Sequence, residues 1–429
     1  MHRFRSWILD PPEYRSQRNR LLPIEGGDGS TLSLDFTTGI LDPRLSFTRS
    51  TIGTYIDSAG LLKTASINIP RFTYDPTNIG TPLGLLVEGS TNNLVIRSSD
   101  YSTGWTTSNI TIGASVTGPD GNTSATTLSA TATAATSLYQ SVGAVSGTAI
   151  ALSVWVKQGT MTTIKLSVYD TTAATTRGET TYTFSTNSFT GTSGGGTPRS
   201  VAYKDGWYRL EFPVTTHVNG NSLACYFAFG AQTVTAGETV ILWGCQAEAG
   251  NGVTTYIPTV ASQVTREADF VLMSNISSVG FNTVSGGTLF VDWYYTKNNT
   301  VSYPCGVGFM GATDSPSPSF EQFTNSTNIH SSARGSSITN LERLTTYSLN
   351  TQLKFAASFD LTSSPISLRT NLNGTAASDT DAGSGPLFTP TRFVISRPGY
   401  GLYLASGIIK TVKYWPITKT ATELASLVV

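Results

Sequence analysis

Asp379 and Asp381 are the acidic residues whose spacing best suits a metal ion, in the run Asp379-Thr380-Asp381-Ala382-Gly383. Alternate carboxylates followed by a glycine suit a hard cation such as Ca²⁺, which takes oxygen ligands. The later bidentate glutamate of a complete calcium loop is missing, and a solvated acidic loop is the alternative. The sequence therefore predicts one candidate calcium site, at Asp379 and Asp381, and no other cofactor.

Residue patterns for catalysis are missing elsewhere. His2, His217 and His330 lie in three different segments, and the chain contains no HExxH, GxSxG or P-loop motif. Glu211 and Glu248 are isolated carboxylates, whereas a retaining or inverting glycosidase needs a pair flanking the scissile bond. We therefore expect a protein without enzymatic activity.

Composition narrows the class of partner. The chain has 429 residues, of which 39% are hydrophobic and only 13% charged, with 27 basic and 27 acidic side chains. The length predicts several domains, and the balanced charge argues against binding to nucleic acid. No run of about eighteen apolar residues is present, so we expect no insertion into a membrane.

The N-terminus and the cysteines indicate the cellular compartment in which the protein is made. The first eighteen residues, MHRFRSWILDPPEYRSQR, lack the apolar core of a signal peptide, which predicts synthesis in a cytoplasm without export by the general route. Cys225, Cys245 and Cys305 do not form a disulfide framework. Cys225 and Cys245 are either paired or, as we expect, buried free thiols.

Residues 91–265 alternate between apolar and polar side chains with a period of two, which predicts β-strands with one buried face. The expected core faces carry Leu152, Val154 and Val156; Ile164, Leu166 and Val168; Tyr208, Leu210, Phe212 and Val214; Leu223, Cys225, Phe227 and Phe229; and Ile241, Trp243 and Cys245. Several such strands predict an antiparallel jelly-roll sandwich of two packed sheets.

The same segment resembles family 4/9-type carbohydrate-binding modules in the order GW, SVWVK, DGWYRL and GCQAEAG…TYIPT. The resemblance implies a sugar-binding face, where aromatic rings stack on a pyranose and amides or carboxylates bond its hydroxyls. The candidates on faces away from the core are Trp155, Tyr169, Trp207, Tyr226, Gln246 and Glu248. The alternative is that some of them fill the second sheet face or a subunit interface.

Residues 266–429 also predict strands, with Asn373-Gly374 as the strongest hairpin signal. The order FAASFDL, SLRTNLNG and FVISRPGY…YLASGIIKTVKYWPITKTATELASL resembles laminin-G/concanavalin-A-type lectin sandwiches, which implies a second sandwich over 266–429. Thr420 and Glu423 predict a capping box for a short final helix.

Residues 34–88 contain short strands separated by turns at Asp42-Pro43, Asp57 to Gly60, Asp75-Pro76 and Thr81-Pro82. The motif LDFTTG.LDPR.SFTRST.GTY.DS.G.L.TA..N.PRF.YDP, followed by GLLVEGSTNNL, resembles the N-terminal module of virion spike, fibre and tail proteins of tailed bacteriophages. The resemblance implies a small β attachment module over 31–90. It also implies a trimeric protein at the virion surface that binds bacterial surface polysaccharide for adsorption.

Residues 1–30 precede this module and predict an extended arm. Arg3, Arg5, Trp7, Tyr14 and Arg15 supply charged and apolar anchors for docking to a neighbouring virion protein. A frayed terminus is the alternative. For the whole chain, a purely structural head or tail joint protein and a polysaccharide depolymerase are the alternative functions.

Overall fold

The computed structural model describes residues 27–297, 305–311, 319–324, 328–334, 341–363, 365–381, 388–395 and 406–429. Nearly all of the regular secondary structure of these residues is antiparallel β-sheet, which confirms the all-β prediction. The only α-helix among the described residues is α1 (Ala421–Leu427).

The middle sandwich packs two six-stranded sheets, with strand orders β16-β17-β12-β19-β10-β9 and β15-β14-β13-β18-β11-β8. The strands are β8 (Thr106–Ser108), β9 (Ile110–Thr117), β10 (Thr123–Ala130), β11 (Ala134–Ala144), β12 (Ile150–Gln158), β13 (Thr163–Asp170), β14 (Thr175–Thr183), β15 (Ser188–Thr190), β16 (Arg199–Ala202), β17 (Trp207–Val214), β18 (Ser222–Val234) and β19 (Thr239–Ala249). Most of the side chains expected to face inwards do so, including Leu152, Val154, Ile164 and Leu166. Alternation thus identified the core of this sandwich.

Cys225 and Cys245 are buried in that core as free thiols, as expected. Burial raises the pKa of both thiols. The hydroxyl group of Tyr101 lies 3.5 Å from the sulfur of Cys245.

The second sandwich combines both ends of the chain. Its C-terminal strands are β21 (Phe270–Met273), β22 (Gly286–Lys297), β23 (Cys305–Met310), β24 (Ser319–Thr324), β25 (Asn328–Arg334), β26 (Leu341–Thr346), β27 (Thr351–Asp360), β28 (Ile366–Leu372), β29 (Thr375–Asp381), β30 (Arg392–Ile395) and β31 (Ser406–Trp415). Its N-terminal strands are β1 (Leu32–Asp35), β2 (Ser46–Thr48), β5 (Arg71–Tyr74) and β6 (Pro82–Val87). Two separate two-stranded sheets are formed by β3 (Gly53–Ile56) with β4 (Leu62–Ala65) and by β7 (Thr91–Asn93) with β20 (Val264–Arg266). One sheet has the order β29-β28-β27-β22-β31-β6-β5, with β1 also on β31, and the other has the order β2-β21-β30-β23-β24-β25-β26.

This pairing corrects the expectation of a small β module over residues 31–90. Leu32 pairs with Tyr414 and Leu86 with Ile408, so β1 and β6 pair one after the other along the same edge of the last strand, β31. Leu34 and Phe47 belong to the same hydrophobic core as the C-terminal strands. Most strands of this segment complete the second sandwich, because so short a segment has too little apolar area for a core of its own.

Local signals near the C-terminus proved accurate. Asn373 and Gly374 adopt φ values of 47° and 90° in the hairpin between β28 and β29, as a tight two-residue turn requires. Thr420 and Glu423 form both hydrogen bonds of the capping box that starts α1. These two features depend on neighbours in sequence, which explains their predictability.

Candidate functional site

Three tyrosine side chains lie side by side on the outer face of the sheet that contains β11, β18 and β13. We refer to Tyr139, Tyr169 and Tyr226 as the tyrosine row. Tyr139 pairs directly with Tyr226 across two strands, and their stacked rings have centroids 4.6 Å apart at an interplanar angle of 27°. Tyr169 lies two residues beyond Ser167, the partner of Tyr226 on β13. The row therefore crosses three adjacent strands.

The three rings are half-buried and remain accessible to a ligand. Burial, with Tyr139 and Tyr169 nearby, raises the pKa of Tyr226, so its hydroxyl stays protonated and can donate a hydrogen bond. Lys165 and Glu179 lie on the same sheet, paired at 2.6 Å and partly exposed. Flat rings beside charged groups can stack on the apolar face of a sugar and hydrogen-bond its hydroxyls.

Tyr169 and Tyr226 were among the six sugar-binding candidates from the sequence, and the structure brings them together. Tyr139 was missed. The signal that could have identified it is the alternation in Leu138-Tyr139-Gln140-Ser141-Val142, where Leu138 and Val142 enter the core. Strand pairing with Tyr226 could not be read from the sequence.

Trp155 and Trp207 lie elsewhere, on the outer face of the opposite sheet, and both are buried, at 0% and 2% exposure. They pack with Trp243, Tyr256 and the β3-β4 hairpin residue Ile56 in one hydrophobic cluster. The prediction that these two rings are exposed and stack on a sugar is corrected, because the β3-β4 hairpin and the connector after β19 (residues 250–263) cover this face.

A bulge in β19 explains why the faces of that strand were misassigned. Gly244 adopts a φ of 62°, and the pairing of β19 with β12 shifts register beside it. Leu242 and Cys245 therefore both enter the core, while Trp243 faces the opposite side. A Cβ atom at Gly244 would lie 3.0 Å from the Trp155 ring, so glycine permits this close approach.

Gln246 and Glu248 are also completely buried, and their polar groups hold the connector in place. The Glu248 carboxylate accepts hydrogen bonds of 2.7 Å from both the backbone N–H and the hydroxyl of Thr254. The Gln246 carbonyl oxygen accepts from the N–H of Ile257 at 2.7 Å. Lys297 of the second sandwich lies 3.4 Å from Glu248. Glu248 therefore links the two sandwiches, whereas Gln246 links β19 to the connector, and neither side chain has a surface to offer a sugar.

A second set of buried charges lies at the same junction. The buried ion cluster comprises Arg49, Arg71, Glu88, Arg266 and Asp269, which are almost fully excluded from solvent. Arg71 reaches Glu88 at 2.8 Å and Asp269 at 2.5 Å, and Arg49 reaches Asp269 at 2.9 Å. Burial alone would raise the pKa of Glu88, but Arg266 and Arg71 outweigh it and lower the pKa to about 2.

This cluster gives a structural role to parts of the N-terminal motif. Arg49, Arg71 and Glu88 stand in its segments FTRST, PRF and LLVEG. The resemblance implies attachment to a virion for this motif, whereas the structure places Arg49, Arg71 and Glu88 in buried ion pairs. Loss of one partner from such a buried ion pair strongly destabilises the folded protein, because the other charge stays buried without a counter-charge.

The structure also bears on the calcium site that the sequence predicts. Asp379 and Asp381 lie in the regular strand β29, paired with Leu368 and Ile366, so the expected calcium loop is corrected to a strand at these residues. Among the described residues, no group of three or more His, Cys, Asp or Glu side chains could hold a metal ion.

The docking residues Arg3, Arg5, Trp7, Tyr14 and Arg15 lie outside the described residues.

No protein-family model and no curated protein sequence matches the chain. In the described part of the chain, no helix is long and apolar enough to cross a membrane.

Solved structures show distant similarity. The NanB sialidase from Streptococcus pneumoniae is 16% identical, with a TM-score of 0.28, over 34% of this chain and 24% of that one. The CBM40 module of the Ruminococcus gnavus IT-sialidase is 12% identical, with a TM-score of 0.29, over 35% of this chain and 85% of that one. Mouse laminin alpha1 domains LG4-5 are 7% identical, with a TM-score of 0.26, over 78% of this chain and 92% of that one. The chain thus spans about a quarter of the sialidase, and similarity at this level carries no functional argument.

Proposed function

We propose that this protein binds a cell-surface glycan through the tyrosine row, without cleaving it. The observation that carries the proposal is the stacked pair of Tyr139 and Tyr226, with Tyr169 beside it, all three of them half-exposed in the part of the chain that the structure describes. Half-exposed aromatic rings offer apolar area to a ligand. The indole rings of Trp155 and Trp207 on the opposite sheet are buried and have no free face on which a polysaccharide could stack.

We also propose that the protein is a component of a tailed-phage virion. It would form a trimeric spike, fibre or tail component at the virion surface. The support is the sequence resemblance of residues 34–97 to virion proteins, with the motif segments described above. Bacterial surface polysaccharide would then be the partner. Several copies on one particle would raise the avidity of weak individual sites by orders of magnitude.

The test is binding of the purified protein to envelope polysaccharides from a panel of bacteria, with polymer size followed by size-exclusion chromatography. We expect binding to at least one polysaccharide with unchanged polymer length. Shortening of the polymer would replace the proposal with a depolymerase. Failure to bind any polysaccharide would favour a purely structural joint protein.

Two substitutions locate the site. Tyr226→Ala removes the central ring of the row, and we expect affinity to fall about tenfold, the equivalent of about 1.4 kcal/mol. Tyr226→Phe keeps the ring and is the matched control, which should retain most of the affinity. Equal binding by wild type and Tyr226→Ala would contradict the assignment of the site to the tyrosine row.

The virion proposal has its own test. Antibodies raised against the protein should label intact particles produced by cells that carry the gene. Light scattering of the purified protein should give the mass of three chains. Labelling of cell debris but not particles would contradict the virion role.

A further inference from the structure

A cleft with a volume of about 380 Å³ lies between the two sandwiches. The middle sandwich contributes side chains from β12, β16 and β17, and the second sandwich contributes side chains from β5, β6, β22 and β31. Its aromatic wall residues include Tyr55, Tyr74, Trp155, Tyr203 and Tyr294. This volume lies at the lower end of the range for ligand pockets, about 300–1,000 Å³, and so suits a small molecule rather than a polymer.

Two hydrogen-bond donors on the cleft wall have no hydrogen-bond partner among the residues that the structure describes. They are Nε1 of Trp155 and Nε of Arg209, and both residues are more than nine-tenths buried. A buried polar group without a hydrogen-bond partner destabilises the folded protein. Because both atoms are donors, a ligand group that pairs with them must accept hydrogen bonds.

The charges around these donors are unbalanced. Glu211 Oε2 accepts from both Nε and Nη2 of Arg199, at 2.9 and 2.6 Å, while Arg209 lies 3.8 Å from the other oxygen. Arg209 otherwise donates to neutral atoms, the Ser153 hydroxyl at 2.9 Å and the Thr254 carbonyl at 2.7 Å. Two guanidinium groups thus share one carboxylate.

Other carboxylates on the cleft wall are committed elsewhere. Glu88 is held by Arg71 and Arg266 in the buried ion cluster and accepts two hydrogen bonds from Thr255. Asp75 accepts hydrogen bonds from Thr77 and Asn78 in its own turn. The exposed side chain of Lys410 adds a further positive charge among the lining residues.

We propose that this cleft binds a small carboxylate-bearing sugar of the hexuronic acid class. The carboxylate accepts from Trp155 Nε1 and Arg209 Nε and balances the second guanidinium charge, while the sugar ring packs against the tyrosine side chains. A charge-assisted hydrogen bond of this kind is stronger than a neutral one. The cleft lies on the opposite sheet from the tyrosine row, so this proposal goes beyond the glycan binding proposed above and does not depend on it.

The test is isothermal titration calorimetry of the whole chain with glucuronate, and with glucose as its neutral counterpart at matched ionic strength. We expect one glucuronate per chain and at least about tenfold weaker binding of glucose. Equal affinity for the two sugars, or no heat with glucuronate at millimolar concentration, would overturn the proposal, because buried water would then satisfy the donors.

Two substitutions test whether glucuronate binds in the cleft. Trp155→Phe removes the N–H and keeps an aromatic ring, and it should weaken glucuronate binding about tenfold. Lys410→Glu reverses an exposed charge at the cleft without touching the core and should also weaken binding. Unchanged binding by a folded Trp155→Phe protein, or by Lys410→Glu if Trp155→Phe fails to fold, would overturn the proposal.

Tyr226→Ala is the control for the other surface. It should leave glucuronate affinity unchanged while lowering polysaccharide binding. A loss of both affinities in this variant would place the sugar on the tyrosine row and overturn the cleft as a second site. A loss of polysaccharide binding alone would leave the two sites distinct.

Discussion

The guanidinium group of Arg209 lies over the indole ring of Trp155, with Cζ 4.4 Å from the ring centroid. The other aromatic contacts of the indole ring are edge-on, to Trp243 at 5.3 Å, to Tyr256 at 5.6 Å and to Tyr203 at 5.8 Å. Trp155 on β12 therefore contacts β17 through Arg209, β19 through Trp243 and the connector after β19 through Tyr256. An aromatic residue so placed contributes mainly to stability.

We predict that Trp155→Ala lowers the free energy of unfolding by about 3–5 kcal/mol, because it leaves a large cavity in a closed cluster. Tyr226→Ala should lower it by about 1 kcal/mol or less, because that ring is half-exposed. Urea denaturation followed by circular dichroism compares the two variants directly. Similar unfolding midpoints for Trp155→Ala and wild type would contradict the buried placement of this ring.

Glu88 gives a pH prediction. Its pKa falls from 4.5 to about 2 on folding, and a depressed carboxylate pKa stabilises the folded state at pH values above the unfolded pKa. This contribution, about 3 kcal/mol, is complete above pH 4.5 and disappears as the pH falls towards 2. Chemical denaturation at a series of pH values measures it.

Glu88→Gln is the matched variant for that series. It should be less stable at neutral pH, because Arg71 and Arg266 lose a buried counter-charge. The difference in unfolding free energy between wild type and variant should shrink between pH 4.5 and 2. A constant difference across this interval would show that Glu88 does not carry the effect.

A truncation tests how the two ends of the chain depend on each other. A fragment over residues 91–429 lacks β1 to β6, which leaves one edge of β31 unpaired and uncovers Trp155 and Trp207. We expect this fragment to aggregate or to lose cooperative unfolding, whereas a fragment over 27–429 should unfold as the whole chain does. Thermal melts and size-exclusion chromatography compare them. A cooperative, monodisperse 91–429 fragment would contradict an integrated fold.

The sequence predicted what depends on neighbouring residues. Alternation identified the inward faces of β12, β13, β17 and much of β18, and the Asn373-Gly374 turn and the Thr420 cap were identified from pairs of residues. The bulge at Gly244 was missed because a glycine in a strand signals several outcomes, and only the partner strand decides among them.

What the sequence could not predict depends on residues far apart in the chain. The pairing of Leu32 with Tyr414 joins the two ends, and no local pattern indicates it. The same limit applies to the candidate site. Periodicity placed Trp155, Gln246 and Glu248 away from the core of their own sandwich, but it could not show that the β3-β4 hairpin and the connector cover that face. Tyr169 and Tyr226 had an equivalent pattern, and nothing in the described structure covers their rings completely.

The buried thiols give the last prediction. Cys225 and Cys245 have raised pKa values because of burial, and only the thiolate form reacts quickly with a disulfide reagent. In a Cys305→Ser background, which removes the third cysteine, we expect almost no reaction of the native protein with Ellman's reagent within minutes. Both thiols should react at once in denaturant. Rapid reaction of the native protein would show that the middle sandwich opens readily, and a lack of reaction in denaturant would show that the two cysteines are disulfide-bonded.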